Sequence, residues 1–470
     1  MRRFVLLLTL LASCLSVRGH DVEIFSDGCR VAAEEFRDIS YLCLEGTGKK
    51  QIEIRCAEDI RNCEISPARR EVRATVNGRT AKFTLPGEGH WVVTVNGEPR
   101  VFIFVDPKEK TPRKNILNVR DFACVQDALD AASGSGKTLV FPDGEYLCGT
   151  LRIGSDTDIY LSKGALLQAS PNREDFPSDS GRLEADKINR PESYSDNGEF
   201  LTFSRFILIE GDNIAIRGRG TIDGNGTALR SQGKPSNLIR VRNSKNVLIK
   251  GVILRNPAAW NTHILASEDV TVRNVKIIND PQVANTDGID PDSSCRVLVD
   301  KCFAYCSDDN IAVKSTNNSS LLRNVDDILV RDCVFLTKKS ALKVGTETKA
   351  DKMSNIVFLH NDIVMCDRAF VLYCNDGASF CDILFEDNLV EHNYPDSQRR
   401  LIHFKISRRH GEGHIRNVRI LNCRSLSAFP KNSEIIGLDE GHLIEDVTIE
   451  NCGIIGEDIR MSNTKDIKIL

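Results

Sequence analysis

Two short acidic clusters stand out by residue type and by spacing. Asn285-Thr286-Asp287-Gly288 is followed by Ser307-Asp308-Asp309, with Asp308 21 positions after Asp287. Carboxylates in such clusters can ligate a cation, close turns, or move protons on a substrate. Asp290 and Asp292 add further acceptors between the two clusters. Which chemistry applies depends on the elements that place these side chains.

Those elements form a repeat. From Ile207 onward a short apolar motif recurs, an Asn or Asp followed by V-x-I/V and a polar pair. Its first apolar residues are Ile214, Val247, Val270, Val297, Ile328, Ile356, Ile383, Val418, Val447 and Ile467. A repeat of 20–35 residues built from short strands cannot bury its apolar face alone and must stack. The expected fold is all-β: a right-handed parallel β-helix over 107–470, with roughly ten coils or more. Val125–Ser133 has helical apolar spacing and reads as a cap over the open end.

A second strand in each coil carries the acidic clusters. Aligning Ile264, Ile289, Ile311 and Leu342 puts Asp287, Asp309 and Ser340 in one column, with Asp308 one position before. The same alignment puts His263 level with Gly288 and Asn310. Neighbouring strands lie about 4.8 Å apart, so the carboxylates converge and repel one another. Such a cluster serves a cation or a reaction. Glycosidic hydrolysis with inversion fits: one carboxyl stays protonated, one ionised, about 6.5–9.5 Å apart around a water.

NTDG followed by SDD inside a β-helix resembles glycoside hydrolase family 28, the polygalacturonase family, in a divergent bacterial-type branch; the likeness runs from about Val119 to the C-terminus. The resemblance implies that Asp308 is the general acid and that Asp287 and Asp309 activate water. It implies a pectin-type or related polysaccharide as substrate, with no cofactor and no metal. The family's Gly-His-Gly falls on Lys339-Ser340-Ala341, and its Arg-Ile-Lys on Val371-Leu372-Tyr373, with Arg368 displaced. Dextranase-like β-helix enzymes of neutral glycans, a β-helix polysaccharide lyase and a non-catalytic glycan-binding β-helix are the alternatives.

Further substrate contacts are sought near the clusters. Trp260 offers an indole for a sugar ring and His263 a polar contact. Lys314, Lys343 and Glu347 follow the acidic motifs, Lys314 also acting on the cluster by proximity. Tyr373 with Asn375 and Asp376, and the loop Ser407–Gly413, border the same region, and Asn285 is a turn or positioning residue.

The rest of the chain sets the context. Lys+Arg is 62 and Asp+Glu 66 in 470 residues, so no basic excess points to nucleic acid. Residues 20–106 alternate apolar and polar positions between Asn-Gly and Pro-Gly turns, the pattern of a small antiparallel β-domain. Arg2, Arg3 and the apolar run Phe4–Ala12 read as a signal peptide over 1–19, too short for a membrane span. Leu11-Ala12-Ser13-Cys14 also fits a lipoprotein box, with a lipid anchor at Cys14. Either way the product is secreted or extracytoplasmic, and a monomer is expected. Cys302, Cys333, Cys423 and Cys452 share one phase of the repeat and read as stacked buried thiols; Cys29, Cys43, Cys56 and Cys63 are the better disulfide candidates.

Overall fold

The computed structural model describes residues 22–176, 204–233, 236–316, 321–395, 397, 399–453 and 458–470. The signal segment 1–19 and the lipidation site Cys14 lie outside them. The chain divides into two compact units, Met1–Lys108 and Glu109–Leu470.

The first unit holds two five-stranded sheets. Their inner faces meet over Ile54, Phe83, Trp91, Val93 and Ile103. The turn between strands Gly89–Val95 and Glu98–Asp106 uses Asn96 at φ 54° and Gly97 at φ 91°, the left-handed pair that a tight hairpin requires. One pairing departs from the antiparallel pattern: Glu98–Asp106 runs parallel to Ile39–Glu45. Alternation within a strand fixes its buried face, not the direction of its neighbour.

The second unit is a right-handed parallel β-helix of three long sheets, with 13, 10 and 11 strands. All ten repeat residues stack in register, from Ile214 opposite Val247 to Val447 opposite Ile467. Each is an apolar residue facing the axis, so each coil buries what its neighbour leaves open. At the corner before this strand the backbone turns left-handed, on Asn213, Asn246 and Asp269 in successive coils. Short polar side chains tolerate that conformation, which explains the Asn or Asp before nine of the ten repeat residues; Arg296, before Val297, adopts it at φ 52°. Helix Val125–Ala132 lays Ala128, Leu129 and Ala132 against the first coils.

The cysteine column is a ladder. Cys302 N donates to Cys333 Sγ, Cys333 N to Asn361 Oδ1, and Asn361 N to Asn388 Oδ1. Asn388 Nδ2 then reaches toward Cys423 Sγ at 3.7 Å. Small side chains accepting from the coil behind satisfy a buried turn. Every described cysteine is a free thiol. The expected bridging of Cys29, Cys43, Cys56 and Cys63 is therefore not found; Cys29 and Cys43, for example, sit in different sheets.

A candidate active site on one column of the helix

The acidic clusters end two successive turns onto the sheet that contains Ile289–Asp292, Ile311–Ser315, Ser340–Thr348 and Arg368–Asp376. Ile289 pairs with Ile311 and Ile311 with Leu342. Asp287, Asp309 and Ser340, each two residues earlier, therefore share a column. Gly288 N donates to Asp309 O at 2.8 Å. A Cβ at Gly288 would meet Asn310 O at 2.4 Å, so only glycine lets the coils close here. Thr286 and Ser307 join the two turns through their hydroxyls at 2.8 Å.

An oxygen from each of Asp287, Asp308 and Asp309 lies within 4.8 Å of the others. This agrees with the one-rung strand spacing of about 4.8 Å and is closer than the about 6.5–9.5 Å expected for an inverting pair around a water. Asp287 and Asp309 are buried, while Asp308 is partly exposed. Burial, reinforced by Asp287 and Asp309, pushes the Asp308 carboxyl up to about 7. Asp309 behaves oppositely. Burial raises it, but Lys343 and Arg368 outweigh that and hold it at about 2. Asp287 lies above the ordinary carboxylate value, chiefly from burial, with Lys314 opposing. Below about pH 7 the site thus holds a protonated Asp308 beside an ionised Asp309.

Two lysines complete it. Lys314 Nζ donates to Asp287 Oδ2 at 2.9 Å and to Asp290 Oδ2 at 3.4 Å. Lys343 Nζ donates to Asp309 Oδ2 at 2.6 Å, and Ser340 N donates to Asp309 Oδ1 at 2.9 Å. Both lysines are buried, and both are held above the ordinary lysine value: burial opposes the charge, but the adjacent carboxylates prevail. Three clustered carboxylates could also bind a divalent cation. Here the ammonium groups already supply positive charge in direct contact with Asp287 and Asp309.

Several sequence-derived contacts take other positions. Ile264 pairs with Pro291, not Ile289, so His263 stands opposite Asp290 rather than level with Gly288. A two-residue slip keeps every side chain on its own face, and apolar periodicity cannot detect it. His263 is fully enclosed, with Nε2 2.9 Å from Asp292 Oδ2. Burial lowers it to about 4, so it is a neutral part of the wall and not a sugar contact. Trp260 is also buried; its ring packs edge-on to His263 and lies 3.7 Å from Lys314 Nζ. It supports the lysine and presents no open stacking face. Asn285 is an exposed turn residue at φ 58°.

Lys314 and Lys343 are occupied by carboxylates. Glu347, half-buried, lies 3.8 Å from Arg409 and adds to the field on both lysines. Asp376 is tied to Arg409 at 2.7 Å and to Thr348 N at 2.9 Å, which fixes the strand that carries Arg409. Tyr373 faces the site, with its hydroxyl 2.6 Å from His403 Nδ1 and its ring 5.6 Å from Lys343 Nζ.

Arg368 is the residue the sequence alignment misplaced. It pairs with Ser340 and so belongs to the column of Asp287 and Asp309. Its Nη1 donates to Tyr373 Oη at 3.2 Å, and it helps to hold Asp309 ionised. The signal was available: Arg368 precedes Phe370 by two, as Asp287 precedes Ile289. His403, opposite Val371 and two strands beyond Lys343, carried no motif and was missed.

Residues 191–370 match the family model described as glycosyl hydrolases family 28. A probable polygalacturonase of Vitis vinifera is 30% identical over 213 residues, covering 42% of this chain and 41% of the plant protein. An endo-polygalacturonase of Pectobacterium carotovorum is 27% identical, covering 43% of this chain and 53% of its own. The chain thus spans about half or less of the length of these relatives. Among solved structures, an exopolygalacturonase from Thermotoga maritima superposes with TM-score 0.56 at 20% identity, covering 77% of this chain and 93% of that one. That likeness establishes the fold. The matched segment, which contains both acidic clusters, is thus similar to glycosyl hydrolases family 28 and to polygalacturonases.

Proposed function

We propose that this protein hydrolyses glycosidic bonds of a uronate-rich, pectin-type polysaccharide, with Asp308 as general acid. The observation that carries this reading is the convergence of Asp287, Asp308 and Asp309 within 4.8 Å on one column, where Asp308 is pushed up to about 7 and Asp309 held at about 2. The partly exposed, protonated Asp308 gives its proton to the departing glycosidic oxygen. Asp287 and Asp309 orient a water, and Asp287, held above the ordinary carboxylate value, takes up its proton. Lys314 occupies Asp287 Oδ2, which leaves Oδ1 for that water. Asp309, bound by Lys343 and Ser340 N, is too well stabilised as an anion to attack carbon readily. This favours single displacement with inversion over a covalent intermediate, although the carboxylates stand closer than the about 6.5–9.5 Å usual for an inverting pair.

The uronate assignment is supported by the similarity to polygalacturonases and by Arg368, a cation in the column of Asp287 and Asp309 whose Nε lies 3.6 Å from Asp367 Oδ2. Arg368 and Tyr373 are the residues placed to meet the sugar. The protein acts outside the cytoplasm, as the charged and apolar opening of the chain suggests, and works as a monomer. Incubation with pectic, rhamnogalacturonan, glucan and algal polysaccharides, followed by product sizing, tests the substrate class. Cleavage of a neutral glucan alone would overturn it. A new double bond in the product would mean lyase chemistry instead.

A further inference from the structure

The first unit carries a groove of about 710 Å³ on the outer face of one sheet. Strands Lys50–Cys56 and Thr80–Leu85 turn alternate side chains outward here. One rung reads Phe25, Glu53, Lys82 and Thr75, from paired strands. The next places Gln51 opposite Thr84. Lys49, Arg55, Arg70, Arg73 and Lys82 line the groove against only Glu53 and Glu71. The whole chain carries a net charge of −4, so this is a local concentration of positive charge. Glu53 is shared between Arg55 and Lys82, while Lys49 and Arg73 are exposed and have no ion pair among the described residues. Arg55 lies over the Phe25 ring at 4.2 Å.

We propose that this groove is a binding site for an anionic polysaccharide chain, separate from the catalytic column. An aromatic ring beside amide and hydroxyl groups suits sugar rings. Unpaired cations along the same face suit carboxylates spaced along a polymer. The choice of a polyuronate rests on the proposed substrate class. The groove would hold the polymer near the enzyme and raise its effective concentration at the catalytic column without changing the chemistry.

Full-length protein carrying Asp308→Asn provides the test, with retardation in native gels containing polygalacturonate or dextran. Adding Lys49→Glu and Arg73→Glu should weaken polygalacturonate binding at least about tenfold. A charge-matched pair elsewhere, Lys431→Glu and Lys468→Glu, should change it little, and dextran should not be bound. With Asp308 intact, the groove pair should leave kcat on a short oligosaccharide unchanged. Equal loss in the two pairs, no loss in the groove pair, or equal retention by dextran would overturn the proposal. Lys49→Gln and Arg73→Gln should give a smaller loss, and a check of melting temperature separates binding from unfolding. If polygalacturonate is bound through the groove but never cleaved, the catalytic reading fails and the groove stands.

Discussion

Lys343 Nζ lies 2.6 Å from Asp309 Oδ2, and both side chains are buried. Removing one member of a buried ion pair leaves the other uncompensated. Lys343→Met should therefore cost about 3–5 kcal/mol of stability. It should also release Asp309 from its depressed state. A carboxyl held at about 2 contributes stability that is present above its unfolded value and lost as pH falls through about 2. In the variant that contribution is gone, and the acidic limb of kcat/KM should move to higher pH. Urea unfolding and a pH–rate profile read both effects.

The alkaline limb reports the acid. Asp308 must be protonated to act, and it is held at about 7, so kcat/KM should fall as pH rises through about 7. Lys314 opposes the rise of Asp308. Lys314→Met should move this limb to still higher pH, in folded protein, while kcat falls. An alkaline limb that stays in place would remove Lys314 from the electrostatics of the acid.

Metal removal should have no effect. Lys314 and Lys343 stand where a cation would neutralise Asp287 and Asp309. Activity after exhaustive chelation, and again after added calcium, should match that of untreated protein. Loss on chelation with recovery on calcium would convert the carboxylate triad into a metal site.

The internal ladder makes a stability prediction. Asn388 accepts from Asn361 N and Nδ2 and donates to Phe358 O at 2.9 Å. Asn388→Ala orphans buried groups, each costing about 1–3 kcal/mol. Cys423→Ala, which removes a weak sulfur acceptor, should cost less than Asn388→Ala. Denaturant midpoints compare them directly.

The β-helix was legible because one column of apolar residues repeats, and each of the ten aligned residues pairs as that column requires. The Asp287–Asp309 column was legible for the same reason. His263 is displaced because a two-residue slip leaves the burial pattern unchanged, so Ile264 matches Ile289 by apolar pattern and Pro291 in space. Trp260 does lie one rung before Asp287, and its burial against His263 and Lys314 is a matter of side-chain packing that spacing does not encode. The roles of Lys314 and Lys343 depend on where long flexible side chains end. Sequence places their Cα atoms on the right rungs and says nothing of whether they bind sugar or carboxylate. His403 reaches the site from a later coil through Tyr373, a contact between residues 30 apart that no local pattern encodes.

The role of Asp308 as proton donor is tested most directly by leaving-group dependence. Asp308→Asn should be compared with wild type on polygalacturonate and on an aryl galacturonide whose phenolate departs without a proton. The prediction is a loss of about 10²–10⁴-fold on the polymer and a much smaller loss on the aryl substrate. Equal losses on both substrates, or near-full activity on the polymer, would contradict it.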